Sequence, residues 1–225
     1  MKKLIIWDFD GVVSDTEKLW LKTRQEMLEE LYGIKMDFDT VNFYMGGRSD
    51  KTKRENLDKA GIITDDYFWE ESTRRDVVKI RKGLKPTEGI LDIFNNKNFT
   101  QCIATGGVRE KTTLKIQSVG IENIFPKEKV FTADMVEKGK PEPDLFLLAA
   151  KTIGYKPEDC IVIEDSLAGM RAGQKAGMEV IAFLGCEMNN NPENIEKVKS
   201  LGVKNIFFSM KDIEKFLVEK YLYLC

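Results

Sequence analysis

Leu4-Ile5-Ile6-Trp7-Asp8-Phe9-Asp10-Gly11 is the stretch on which the fold turns. The apolar run reads as a short buried strand, and two aspartates and a glycine stand where it ends. In an open α/β sheet, ligands bind just beyond the carboxyl ends of the strands. Alternate side chains of a strand point opposite ways, so Asp8 and Asp10 can do different jobs at such an end. Taken alone, the motif is no more than a strand followed by an Asp-Gly turn.

Outward from Gly11 the chain turns helical and stays so to about residue 83. Ser14-Asp15-Thr16-Glu17 supplies capping residues, and Leu19, Trp20, Met27, Leu28 and Leu31 recur at helical spacing until Gly33. Residues 39–44, 49–60 and 65–82 continue the helical pattern, punctuated by Gly46-Gly47 and Gly61. Then the period changes. Residues 100–104, 129–131, 160–163, 180–183 and 205–208 read as short strands, separated by helical stretches over 108–119, 143–153, 166–176 and 193–200 and followed by one over 211–222. Alternating strands and helices predict βαβ units and a mostly parallel, doubly wound α/β sheet. The expected organisation is a core of residues 1–14 and 85–225, with a helical cap of residues 15–84 inserted after the first strand.

Bulk composition narrows the chemistry. The chain has 225 residues, 42% apolar and 32% charged, which suits a globular core with an appendage. A net charge of −2 gives no basic excess for a phosphate-backbone interface, so nucleic acid is not an expected partner. No apolar run approaches the roughly 18 residues of a membrane span. The start lacks the small-residue cleavage site of a signal peptide. Cys102, Cys160, Cys186 and Cys225 are widely spaced and form no metal-ligand pair; a reduced, cytoplasmic setting is expected. The chain has no histidine, which excludes Ser-His-Asp and Cys-His systems and His-ligated zinc. Catalysis has to run on carboxylates, lysines, hydroxyls or a hard metal ion.

Four strand ends carry such groups. The first offers Asp8 and Asp10. The second offers Thr105-Gly106-Gly107, a hydroxyl and backbone donors suited to an anion. The third is followed by Lys138-Gly139-Lys140-Pro141-Glu142-Pro143-Asp144, in which Lys140 is a positioned point charge. The fourth offers Glu164-Asp165-Ser166, whose acids would repel Asp8 and Asp10 without a cation; Mg²⁺ suits carboxylate, water and phosphate oxygens. Each piece alone also reads as a turn or a helix cap. Their order along the chain is what turns punctuation into a site.

These motifs resemble those of the haloacid dehalogenase superfamily, in the branch of small helical caps that holds β-phosphoglucomutase and sugar-phosphate phosphatases. Asp8 to Glu17 resembles its first motif and Ile103-Ala104-Thr105 the second. Lys140-Pro141-Glu142-Pro143-Asp144 resembles the third, and Ile163-Glu164-Asp165-Ser166 with Gly169 the fourth. The resemblance implies phosphoryl transfer through an aspartyl-phosphate. Asp8 is then the nucleophile and Asp10 the general acid and base, its main-chain carbonyl also reaching the metal. Asp165 is a further Mg²⁺ ligand, with Glu164 in or beside the metal's shell. Thr105, Gly106, Gly107 and Lys140 hold phosphate oxygens.

In the cap, Met45-Gly46-Gly47-Arg48-Ser49 resembles the family's substrate loop, so Gly47 and Arg48 are candidate substrate contacts. Arg74, Arg75 and Lys79 are weaker ones, equally explained as a charged helix face. In β-phosphoglucomutase-like sequences a histidine stands on the first cap helix; the matching position here is Trp20, a further substrate-side candidate that equally suits the cap core. The expected function is a Mg²⁺-dependent phosphatase of small phosphorylated metabolites, sugar or polyol phosphates in particular. A phosphosugar mutase, a dehalogenase and a catalytically silent binding protein are the alternatives. A monomer or weak dimer with no membrane partner is expected.

Overall fold

Six parallel strands build the sheet in a computed structural model that describes residues 3–46 and 50–222. They are β1 (Leu4–Trp7), β2 (Thr100–Thr105), β3 (Val130–Thr132), β4 (Cys160–Glu164), β5 (Glu179–Phe183) and β6 (Asn205–Phe207), in the order β3-β2-β1-β4-β5-β6. β1 lies between β2 and β4, and all of its residues are buried, as its unbroken apolar sequence requires. The strand order reverses between β1 and β4. A crevice at such a switch point is where α/β sheets bind ligands. Register sets its walls: Trp7 pairs with Ile103 and Ile163, so Asp8 stands level with Ala104 and Glu164.

The chain divides into two compact units, residues 1–15 with 85–225 and residues 16–84. In the first, α7 (Asp144–Ile153), α8 (Leu167–Lys175) and α9 (Pro192–Ser200) bury Leu145, Phe146, Ala149, Met170, Ala172 and Val198 with Leu4, Ile6, Cys102 and Val162 of the sheet. Trp7 belongs to the other face. Its ring meets Phe94 edge-on at 5.3 Å, and Phe94 meets Phe125 at 4.8 Å. Its indole N–H donates to Gln101, whose amide donates on to the Ile93 carbonyl, so this buried polar pair is satisfied. Phe94 lies on α5 (Ile90–Asn95), a helix the sequence pattern does not reveal because six residues are too few to show a period. α6 (Arg109–Val119) and α10 (Met210–Tyr221) complete the unit.

The second unit is α-helical: α1 (Glu17–Tyr32), α2 (Phe38–Met45), α3 (Asp50–Lys59) and α4 (Asp66–Arg81). Leu21, Met27, Leu28, Val41, Met45, Leu57, Phe68 and Ile80 are buried in it. The Ser14-to-Glu17 segment does not cap α1 as the sequence suggests. Thr16 sits at the N-cap without a side-chain capping bond, and the Ser14 hydroxyl donates to the Lys85 carbonyl. Beside it, the Thr87 amide and hydroxyl donate to the Val13 and Val12 carbonyls, so the outgoing and returning segments are bonded side by side within the first unit. Among the described residues no helix is long and apolar enough to cross a membrane.

One buried ion pair ties α1 to α4. Arg24 Nη1 donates to both Asp76 oxygens at 2.6 and 2.7 Å, and the side chains are 3% and 0% exposed. Removing one member strands the other charge away from water. Asp76→Ala should therefore cost about 3–5 kcal/mol in urea unfolding. Lys35→Ala, in a pair whose side chains are 82% and 58% exposed, should leave the midpoint unchanged.

Candidate active site

Lys140 brings three strand ends together. Its ammonium donates to Asp8 Oδ1 at 2.6 Å, to Glu164 Oε1 at 2.6 Å and to the Ala104 carbonyl at 3.1 Å, which uses all three of its N–H bonds. Asp8 follows β1, Glu164 ends β4, and Ala104 lies in β2. The face of the Phe146 ring lies 4.9 Å from the ammonium. Lys140 comes from the turn before α7 and is joined to Pro141 by a cis peptide.

Glu164 is saturated. Besides Lys140 on Oε1, its Oε2 accepts from the Asp165 amide at 3.0 Å, the Ser166 amide at 2.8 Å and the Ser166 hydroxyl at 2.9 Å. The Ser166 oxygen in turn accepts from the Gly169 amide and caps α8. Glu164 thus holds Lys140 and the turn after β4. Space confirms the fit: a Cβ on Gly169 would stand 1.7 Å from Glu164 Oε1. Gly11 plays the same part for Asp165. Its φ is +82°, and a Cβ there would lie 1.9 Å from Asp165 Oδ2.

Asp8, Glu164 and Asp165 each offer a carboxylate oxygen within 4.8 Å of the others, the one such group among the described residues. An all-oxygen, anionic donor set fits Mg²⁺. Both Glu164 oxygens already accept hydrogen bonds, from Lys140 and from the turn after β4. Asn189 Nδ2 donates to Asp165 Oδ2 at 2.7 Å and orients it. Asn189 lies in a segment whose sequence reads only as a polar loop.

Charge and burial set the state of Asp8. Burial pushes its carboxyl up to about 7; the Glu164 and Asp10 charges push the same way, and Lys140 opposes them. Burial works against the Lys140 ammonium, but Asp8 and Glu164 outweigh it and hold the proton on lysine well above the usual range.

Asp10 differs from Asp8, though not through strand alternation. β1 stops at Trp7, and Asp10 lies beyond it, in an isolated bridge with Ser14. Its Oδ2 accepts from Lys115 at 2.5 Å, so the two aspartates face two different lysines. Lys115, on α6, is absent from the sequence reading. The available signal was its place between Thr112 and Ile116, at the helical spacing of a buried face.

Thr105 is buried at the end of β2, and its hydroxyl accepts from the Gly107 amide at 3.3 Å. It is not the cap of α6, which begins at Arg109 with Val108 at the N-cap. Gly106 is exposed and Gly107 half-buried in the turn between. In the helical unit, Trp20 is buried in α1. Arg74 and Arg75 both pair with Glu71, Arg75 also with Glu30, and Lys79 donates to Thr23. Gly47 and Arg48 lie outside the described residues.

Known proteins carry the same framework. The family model described as haloacid dehalogenase-like hydrolase matches residues 5–183. The chain is 30% identical to the probable pseudouridine-5'-phosphatase of Drosophila melanogaster over 183 residues, 78% of this chain and 79% of that protein. It is 28% identical to hexitol phosphatase A of Escherichia coli over 192 residues, 80% and 82% of the two chains. A haloacid dehalogenase-like protein of Agrobacterium tumefaciens superposes with a TM-score of 0.85 at 22% identity, covering 97% of this chain and 99% of that one. A family hydrolase from Deinococcus radiodurans, crystallised with phosphate and sodium, gives 0.81 at 24% identity, covering 97% and 96%. With its sheet order, its carboxylate cluster and a family match over most of its length, the chain belongs to the haloacid dehalogenase-like hydrolases.

Proposed function

We propose that the protein is a Mg²⁺-dependent phosphatase that hydrolyses small phosphorylated metabolites, sugar or polyol phosphates, through an aspartyl-phosphate on Asp8. The observation that carries this reading is the pairing of Asp8 and Asp10 with separate lysines at one sheet edge. One carboxylate is set among positive charge and metal ligands, as a nucleophile approaching a phosphate dianion needs. The other, Asp10, pairs with Lys115 outside that group and handles the protons.

In the first half-reaction an Asp8 oxygen bonds to phosphorus while the ester P–O bond breaks, and Asp10 gives its proton to the leaving oxygen. In the second, Asp10 takes a proton from water as that water attacks phosphorus. The acyl-phosphate P–O bond breaks, returning Asp8 as a carboxylate and releasing inorganic phosphate. Thr105 and the amides of Gly106 and Gly107 hold equatorial oxygens, and Lys140 neutralises charge from the Asp8 side. Asp8, Asp165 and the Asp10 carbonyl would hold Mg²⁺, which when bound would supply further neutralisation of the transferring group. Glu164 keeps Lys140 and the ligand-bearing turn in place.

The substrate class draws on relatives named as phosphatases of hexitols and of 6-phosphogluconate. Residues 16–84 are the cap that selects the leaving group, with Gly47 and Arg48 in its substrate loop and Trp20 in its core. Hydrolysis is favoured over phosphosugar mutation because no histidine exists to replace the one that Trp20 displaces.

Assay against p-nitrophenyl phosphate and a panel of hexitol, sugar and nucleoside monophosphates tests this directly. Turnover should require Mg²⁺, vanish in excess chelator and recover poorly with Ca²⁺, whose longer and looser coordination misplaces the reacting oxygens. Full turnover in chelator would refute the metal assignment.

A second prediction follows from the buried Asp8 carboxyl. Its folded-state value of about 7 lies above the ordinary 3.8, so the folded protein binds the proton more tightly. In metal-free protein this group's contribution to stability is full below about pH 4 and is lost as pH rises through about 7. Mg²⁺ competes with that proton, so the Tm increase it causes should be larger at pH 8 than at pH 6. Asp8→Asn should abolish most of that increase and, without metal at pH 8, should melt above the wild type. A Mg²⁺ response independent of pH would contradict the assignment of Asp8 as a ligand.

A further inference from the structure

We infer that Lys115 is a positioning residue for Asp10, its ammonium fixing the carboxylate that moves protons in both half-reactions. This rests on the aspartyl-phosphate reading above, since Lys115 is assigned to act through Asp10.

The two groups are unequally placed. The Lys115 side chain is 2% exposed, whereas that of Asp10 is 28% exposed, and they meet at 2.5 Å. An ammonium so buried has lost nearly all of its water, a penalty that only a well-placed anion offsets. Lys115 is therefore fixed first, by the fold, and Asp10 second, by Lys115. The ammonium also lies over the Phe9 ring, 4.8 Å from its centroid, and Phe9 is fully buried between the two aspartates in sequence. The turn after β2 leaves room for it. A Cβ at Gly107 would stand 3.5 Å from Lys115 Nζ and 3.0 Å from Thr112 Oγ1, so any side chain at 107 would press on this face of α6.

Asp10 needs such a partner. It sits beyond the end of β1, in an isolated bridge with Ser14, with its side chain 28% exposed. A proton-transfer group that samples several rotamers loses the orientational advantage of being bound near its target. Lys140 cannot supply the restraint, because its three N–H bonds already go to Asp8, Glu164 and Ala104. The chain thus provides one buried lysine for the nucleophile and another, from a different helix, for the acid–base carboxylate.

A double-mutant cycle tests this on the full-length enzyme with Mg²⁺, using the best alkyl phosphate of the panel above. Lys115→Met removes the charge and keeps the side chain's length. It should reduce kcat/KM at least about tenfold in the wild-type background but less than about threefold in the Asp10→Asn background, because the two residues act as a unit. The loss should fall in kcat, with KM and the inhibition constant of inorganic phosphate within about threefold of wild type. Lys115→Gln, which keeps a polar tip, carries the same test should the methionine variant not fold. Equal losses in the two backgrounds would overturn the inference, since Lys115 would then act independently of Asp10. Phosphate inhibition weakened about tenfold or more would also overturn it, by making Lys115 a phosphate ligand. If Asp10→Asn is fully active in an active wild type, the acid–base role of Asp10 fails and the inference with it. If Asp10→Asn is impaired and Lys115→Met is not, the inference alone fails.

Discussion

A single ammonium shared by two carboxylates and a carbonyl organises the sheet edge. Lys140 reaches Asp8 beyond β1, Glu164 at the end of β4 and the Ala104 carbonyl of β2, so three neighbouring strands end on one positive charge. Without it, Asp8 and Glu164 would share a buried space with no positive charge between them, with Asp165 alongside. With it, Asp8 is anchored through one oxygen, within the group of carboxylates whose chemistry fits a divalent cation. The acid pair after β4 also divides its work through this contact. Glu164 bonds Lys140 and the turn after β4, and Asp165 is held by Asn189.

The same crowding explains two glycines on the first and fourth motifs. Gly11 and Gly169 each stand where a methyl group would overlap a carboxylate, Asp165 in one case and Glu164 in the other. Their absence of a side chain is a consequence of how closely the backbone must pass the acids. The crowded acids are each answered locally: buried Asp8 and Glu164 by Lys140, and the partly exposed Asp10 by Lys115 and Asp165 by Asn189. The residual negative charge of the group is what a hard divalent cation would neutralise.

Much of this was legible in the sequence because it is carried by periodicity and by short contiguous motifs. The apolar run before Asp8, and the alternation of strands and helices after residue 100, were enough to foresee the parallel sheet and to place Asp8, Thr105 and Glu164 at strand ends. What stayed hidden depends on contacts across the chain. Lys115 is 105 residues from Asp10, and a lysine within a charged helix reads as a solvated residue until the helix is docked. Asn189 is 24 residues from Asp165 and sits in a loop without periodicity. Ser14 looked like a cap because its local sequence suits one, yet its hydroxyl bonds Lys85, 71 residues away. Glu164 was foreseen as being in or beside the metal's shell. Its four hydrogen bonds favour the second place, which spacing alone could not distinguish.

The central claim is that Asp8 becomes covalently phosphorylated. Rapid acid quench of the enzyme with a good aryl phosphate, followed by mass mapping of the peptide that carries residues 3–18, measures this most directly. The account predicts one phosphate on Asp8, formed within a turnover, enriched in Asp10→Asn, whose phosphoenzyme cannot be hydrolysed efficiently, and absent from Asp8→Asn. Phosphate on another residue, or an active enzyme that carries none under conditions where Asp10→Asn stalls, would contradict it.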